Sequence, residues 1–248
     1  RLPLGHATRD GTFVAPTLIE IASLNELNGE VFGPVLHVLR WRREDRDALV
    51  DAINATGYGL TFGLHTRLDE TVAQITAKVR AGNIYVNRNM IGAVVGVQPF
   101  GGSGLSGTGP KAGGPLYLAR LVRNADPALP MLGAPVELPG PVGESNRYAI
   151  HPRGTVLLLP ETAQGLARQL AAVRATGNAR VVVAAPERLE ALRIGDHAEL
   201  RVVTSIPADE HFAAALVEAE GPALLAAQQA IAALPGPIVP VLTAPWPT

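Results

Sequence analysis

Nine glycines fall between positions 92 and 114: Gly92, Gly96, Gly101, Gly102, Gly104, Gly107, Gly109, Gly113 and Gly114. Inside a helix or strand each would cost roughly 0.5–1 kcal/mol relative to alanine, so this segment must be loop. A loop of that length costs conformational entropy that some other interaction has to offset, and such loops are commonly functional. The regular elements of the fold must lie on either side of it.

Upstream, Thr12–Ile19 and Pro34–Trp41 are apolar and β-branched and predict two buried strands. Between Glu44 and Ala55, Ala48, Leu49, Ala52 and Ile53 recur at helical spacing, with Glu44, Asp45 and Asp47 in the first turn and Gly57 and Gly59 ending the helix. Leu60–Thr66 reads as strand, Asp69–Arg80 as a helix with Asp69 as N-cap, Asn83–Asn87 as strand, and Leu116–Val122 as a short helix. Such alternation predicts a parallel-rich sheet. Pro127, Pro130, Pro135, Pro139 and Pro141 then crowd Asp126–Gly143, which reads as an extended linker at a domain boundary.

The pattern restarts with strands at Thr155–Leu159, Arg180–Ala184, Leu200–Thr204 and near Ala213–Glu218. Helices are expected at Thr162–Ala175, Pro186–Leu192 and Pro222–Leu234. A last strand, Ile238–Leu242, carries Pro240 and therefore suits an edge. The expected fold is α/β with a second, smaller α/β (Rossmann-like) domain: residues 1–125, a linker over 126–145, and an accessory domain over 146–248.

Composition removes several function classes. The chain has no cysteine, which excludes a thiolate nucleophile, a disulfide or a cysteine-ligated metal within it. Its 21 basic and 22 acidic side chains leave a net charge of −1, so bulk charge recruits neither nucleic acid nor anionic lipid. No apolar run reaches the ~18 residues of a membrane span, and Arg1–Asp10 has no secretory apolar core, so a cytoplasmic location is expected. A chain that opens on Arg1, with Met90 and Met131 as its only methionines, reads as a fragment of something longer. The six histidines show no metal-ligand spacing, and no metal site is expected. Arg40, Arg42 and Arg43 around Trp41 read as a solvated, ion-paired corner. Gly102–Gly107 satisfies G-x-G-x-x-G, but Gln98-Pro99-Phe100 before it is no buried strand and Pro110 follows shortly, so it is not a dinucleotide loop. Lys111, between Pro110 and Ala112, equally fails the phosphate-loop signature.

Two segments point to chemistry. In Glu30-Val31-Phe32-Gly33-Pro34-Val35 a carboxylate and a ring lie two positions apart before a strand, so both can face one side. Such a carboxylate can accept hydrogen bonds from vicinal ribose hydroxyls, and such a ring can flank a flat heterocycle; an acidic turn residue beside a core phenylalanine is the plainer alternative. The glycine-dense segment offers closely spaced N–H donors that suit the carboxylate of a small substrate, or serves only to let chains cross closely.

Taken in order, Phe13–Glu20, Glu30–Val35, Tyr58-Gly59-Leu60, Gly82–Asn87 and Pro99–Gly102 resemble the C-terminal half of the aldehyde dehydrogenase catalytic domain. Gly96–Gly102 followed by Gly104–Gly114 is similar to the L-glutamate γ-semialdehyde (1-pyrroline-5-carboxylate) dehydrogenases. Leu138–Pro141, Gly143-Glu144, Asn146 and His151–Gly154 resemble the domain that follows the dehydrogenase in long members of the bacterial proline utilization A family.

The resemblance implies an aldehyde dehydrogenase-like half-domain of an NAD-dependent semialdehyde dehydrogenase. It implies a flavin-dependent (FAD) proline dehydrogenase and dinucleotide-binding units upstream in the same polypeptide, a DNA-binding domain in some members, and a homo-oligomeric parent. No nucleic-acid partner is expected through this chain. Carried over by position, Glu30 binds the nicotinamide-side ribose and Phe32 positions the nicotinamide. The backbone of Gly92 and Ala93 holds the substrate carboxylate, and Phe100 packs on its aliphatic part. The family attacks its aldehyde with a cysteine that, like the general base, lies upstream of Glu30, so no catalytic residue is expected here and the chain alone should be inert. Two rival readings are a noncatalytic interaction or scaffolding module centred on residues 146–248, and part of a broad-specificity aldehyde dehydrogenase.

Overall fold

Strand and helix alternate in a computed structural model of the chain, which describes residues 1–5, 8, 10–122, 131–196 and 200–243. The elements are divided between two units, Arg1–Thr56 with Thr66–Arg80, and Gly57–His65 with Ala81–Thr248.

In the first unit, β1 (Thr17–Ile21) and β2 (Val35–Leu39) pair in parallel with Thr17 opposite Val35. Helices α1 (Arg46–Ala55) and α2 (Asp69–Lys78) pack on one another. Buried Val50 and Ile75 lie on the two helices, and Val79 and Ile21 are buried as well. Asn54 joins the helix ends: its amide donates to Lys78 O at 3.0 Å and its carbonyl accepts from Arg80 N at 2.8 Å, serving groups that a helix terminus leaves unpaired. Two expectations are corrected. Asp69 is the first helical residue and not the cap; Leu68 holds that position without a side-chain bond, and Asp69 and Glu70 act through their charge on the first turn. The two strands are also not buried throughout: Leu18 and Leu36 are about 60% exposed, whereas Ile21 at the end of β1 is buried and most of β2 is half-buried. Apolar sequence reports a demand for cover, which parallel strands need on both faces, and not the cover itself.

In the second unit, β3 (Tyr58–Gly59) pairs antiparallel with β6 (Ser103–Gly104), and β4 (Thr61–Leu64) pairs in parallel with β5 (Asn83–Val86). Leu118–Leu121 forms a 3₁₀ turn where a short helix was expected. The proline-rich stretch is not uniformly extended linker. Of it, 126–130 lies outside the described residues, but β7 (Val136–Leu138) pairs antiparallel with β8 (Asn146–Tyr148). Pro135 and Pro139 bracket β7, where a missing N–H costs the ladder nothing.

The remainder is a five-stranded parallel sheet of β9 (Thr155–Leu159), β10 (Ala179–Val183), β11 (Arg201–Val203), β12 (Phe212–Val217) and β13 (Val241–Thr243), ordered β11-β10-β9-β12-β13. Helices α3 (Ala163–Ala175) and α4 (Gly221–Ala232) cover it. Alternation along the strands sorts the core: Val156, Leu158, Val182 and Leu216 pack with Leu166, Leu170 and Val173 of α3, whereas Leu157, Val181, Ala215 and Val217 pack with Ile231 of α4. β13 lies at the edge, as Pro240 requires, and the Pro240 carbonyl accepts from Ala215 N at 2.9 Å. The expected helix Pro186–Leu192 is a single 3₁₀ turn, Pro186–Arg188, followed by turns. One turn suffices to bring Leu189 and Leu192 to the core, so their spacing alone did not distinguish it from a helix.

Candidate functional site

The glycine-dense loop is held by side chains from two directions. Asn83, first residue of β5, donates from its amide to Pro99 O at 2.9 Å and accepts at Oδ1 from Gly101 N at 3.2 Å. Lys111 donates from Nζ to Asn83 Oδ1 and Gly101 O, both at 3.0 Å, and to Gly82 O. Burial pushes the Lys111 ammonium down to about 8. Phe100, between the residues so gripped, exchanges backbone hydrogen bonds with Ala112 in an antiparallel bridge, at 3.0 and 2.8 Å. The ring's backbone is thus fixed before and after it.

Ahead of that clamp, the N–H of Ile91 donates to Asn89 Oδ1 at 3.3 Å and the N–H of Val94 to Gln98 Oε1 at 3.0 Å. Among the described residues, nothing accepts from the N–H groups of Gly92 and Ala93, which lie between these two satisfied donors. Gly92 is exposed and Ala93 half-buried, so both donors are open to an external acceptor. Of the five residues singled out in the sequence, Gly92, Ala93 and Phe100 therefore share one stapled loop.

Glu30 and Phe32 belong to the other unit, on the turn that feeds β2. Phe32 is 89% exposed and is no core residue. The exposed Glu30 carboxylate makes no hydrogen bond or ion pair among the described residues, which leaves both oxygens available to hydroxyl donors. A free carboxylate and an uncovered ring two positions apart fit the ribose and base of a nicotinamide nucleotide.

The Ser106 hydroxyl accepts from Gly59 N at 3.0 Å, which accounts for it structurally. The sequence reading missed Asn83, Gln98 and Lys111. Lys111 fails the phosphate-loop signature, and its sequence neighbours do not show that its ammonium reaches the carbonyls of Gly82 and Gly101. Among the described residues, no cluster of His, Asp and Glu could hold a metal ion, and no helix is long and apolar enough to cross a membrane.

A second place in the molecule resembles a ligand seat. In the five-stranded sheet the strand order reverses between β9 and β12, and open α/β sheets take ligands beyond the strand ends at such a point. Here that position, at the N-terminus of α3, is filled from within. Glu218 accepts from Glu161 N at 2.7 Å, Thr162 N at 2.9 Å and Thr162 Oγ1 at 2.7 Å. Partial burial raises its pKa, but the hydrogen bonds from Thr162 and Glu161 and the charge of Arg168 outweigh this and hold the carboxyl below its ordinary range. A β-carbon on Gly165 would run into the same carboxylate.

Residues 2–123 match the Aldehyde dehydrogenase family. The chain is 51% identical to "Bifunctional protein PutA" of Rhizobium meliloti over 98% of its own length, and spans 23% of that protein. It is 41% identical to the "1-pyrroline-5-carboxylate dehydrogenase" of Bacillus subtilis over 44% of this chain and 21% of that one. The solved structure of Proline Utilization A (PutA) from Corynebacterium freiburgense shares the fold over 86% of this chain and 23% of its own, with a TM-score of 0.59 at 24% identity.

Proposed function

Because this chain belongs to the aldehyde dehydrogenase family through residues 2–123, we propose that it is the C-terminal part of an NAD-dependent L-glutamate γ-semialdehyde dehydrogenase. It works within a longer, bifunctional or trifunctional polypeptide of proline catabolism. Residues 1–125 complete the dehydrogenase and 146–248 are accessory, with 126–145 connecting them and contributing β7, which pairs with β8. The observation that carries the reading is the pair of unpartnered N–H groups at Gly92 and Ala93 between two donors already satisfied by Asn89 and Gln98. Two adjacent N–H groups, held at both flanks, suit the two oxygens of a carboxylate. A substrate with a carboxylate at one end and an aldehyde at the other is thereby held by the end that does not react. Phe100, fixed by the Asn83 and Lys111 clamp, covers the methylene stem between them.

Glu30 holds the ribose hydroxyls of NAD and Phe32 restrains its ring. Bound NAD supplies the hydride acceptor. The nucleophile and general base come from outside this chain, which has no cysteine, so the 248 residues alone should oxidise no semialdehyde above background. The Glu218 seat supports a noncatalytic role for residues 146–248, since an anion-binding position already holding a carboxylate rejects a phosphate.

Replacing Gly92 or Ala93 by proline in the complete polypeptide tests the reading. Removing one N–H should raise KM for the semialdehyde about ten- to a hundredfold, in line with one lost charge-assisted hydrogen bond of about 1.5–3 kcal/mol, and leave KM for propanal nearly unchanged. Equal effects on both substrates would refute it and favour a broad-specificity enzyme.

A further inference from the structure

The loop that carries Gly92 and Ala93 is gripped at both ends by the β7–β8 hairpin, which lies beyond the family match at 2–123. At its start, Arg88 donates to the Glu144 carboxylate at 3.2 and 3.3 Å, with its guanidinium 5.2 Å from the centre of the Tyr85 ring. At its end, Gln98 works in two directions. Its Oε1 accepts from Val94 N at 3.0 Å, next to Ala93, while its Nε2 donates to Asn146 Oδ1 at 3.0 Å. The Val94 carbonyl closes the turn by accepting from Val97 N at 3.1 Å and Gln98 N at 3.0 Å.

The orientations are mutually imposed. Val94 N–H can only meet the oxygen of Gln98, which turns the nitrogen of that amide toward Asn146 and obliges Asn146 to present oxygen. The nitrogen of Asn146 is then turned inward, buried and unpaired, against Gly140, whose missing side chain leaves room for it. An unpaired buried amide is costly, so the arrangement indicates that the Asn146 oxygen is used for something. Its use is to hold Gln98.

We infer that the β7–β8 hairpin positions the substrate-anchoring loop, with Asn146 acting through Gln98 and Glu144 through Arg88, so that residues outside the dehydrogenase segment set the affinity for the carboxylate end of the substrate. Asn146 and Gln98 are positioning residues; neither touches substrate. The inference rests on the carboxylate-anchoring role proposed for Gly92 and Ala93.

The test is a double-mutant cycle in the complete polypeptide. Asn146→Leu should raise KM for the semialdehyde roughly three- to tenfold, the range of one lost hydrogen bond, with kcat and KM for propanal unchanged. Asn146→Asp, which keeps the acceptor and removes the orphaned donor, should restore KM to within about twofold. Gln98→Leu combined with Asn146→Leu should be no worse than the poorer single variant, because both act through one contact. An unchanged KM in Asn146→Leu, loss without rescue in Asn146→Asp, or additive effects in the cycle would each overturn the inference. Should Asn146→Leu not fold, Gln98→Leu and Asn146→Asp still decide the matter through the same KM comparison. The Gly92→Pro variant separates the two claims. If it discriminates between substrates while Asn146→Leu does not, only the hairpin's role fails; if it does not discriminate, both fall.

Discussion

Replacing Lys111 by methionine removes one ammonium and leaves the stem, so the change reports on the clamp and little else. Three oxygens lose a donor: Gly82 O, Asn83 Oδ1 and Gly101 O. Asn83 Oδ1 keeps Gly101 N at 3.2 Å, so two backbone carbonyls are stranded. A hydrogen bond from a charged donor contributes about 1.5–3 kcal/mol, but the site is only half-buried and water can replace part of that. The loop should lose about 1–2 kcal/mol of hold on Phe100, which corresponds to a five- to thirtyfold change in an equilibrium. Steady-state kinetics on the complete polypeptide should show KM for the semialdehyde rising by about that factor, with kcat changed by less than about twofold.

Stability gives a second readout with a definite sign. Burial holds the folded-state pKa of Lys111 at about 8, below its ordinary 10.5. Between those values the unfolded chain binds more protons than the folded one, so the residue's contribution to stability rises with pH across the window. The melting-temperature gap between wild type and Lys111→Met should therefore widen from pH 7 to pH 9.5. A melting temperature that falls while the ratio of semialdehyde to propanal KM stays constant would show that Lys111 supports the fold and not the substrate.

Other expectations are as direct. Gly165→Ala, a change that ordinarily strengthens a helix, should lower the melting temperature, because the added carbon meets the Glu218 carboxylate; a rise in melting temperature would contradict the seat as described. Glu218→Gln should flatten the acid limb of unfolding. The wild-type carboxyl sits below its ordinary value of 4.5, so its stabilisation is present above that value and lost as pH falls through the folded-state pKa, as urea titrations at pH 3 to 6 would register. Leu158→Ala, at a fully buried position in the five-stranded sheet, should cost about 2–5 kcal/mol by chemical denaturation. Glu30→Gln should raise KM for NAD and leave KM for the semialdehyde alone, and a shift in the semialdehyde KM of the same size would remove Glu30 from the cofactor.

How much of this could be read from residues alone depended on the range of the interaction. The run Thr155–Leu159 announced a buried strand because burial on both faces needs no periodicity, and Pro240 announced an edge because a missing donor is a local fact. That Gly92, Ala93 and Phe100 share one loop was legible because they are close in sequence, while the roles given to them came from the resemblance alone. Lys111 and Asn83 were not: they are 28 positions apart, and nothing in either neighbourhood says that their side chains meet. The same holds for Gln98 and Asn146, 48 positions apart. Leu18 and Leu36 show the converse, since their apolar character was plain while the surface that should cover them was not a property of the local sequence.

The carboxylate that Glu218 lodges at the head of α3 has a consequence for how the accessory region endures changing metabolic conditions. A nucleotide-binding unit gains firmness from its ligand and slackens when the pool runs low. Because Glu218 already satisfies the head of α3, the five-stranded sheet needs no ligand at that point, and heating the polypeptide with added dinucleotide is expected to leave the melting of this sheet unchanged.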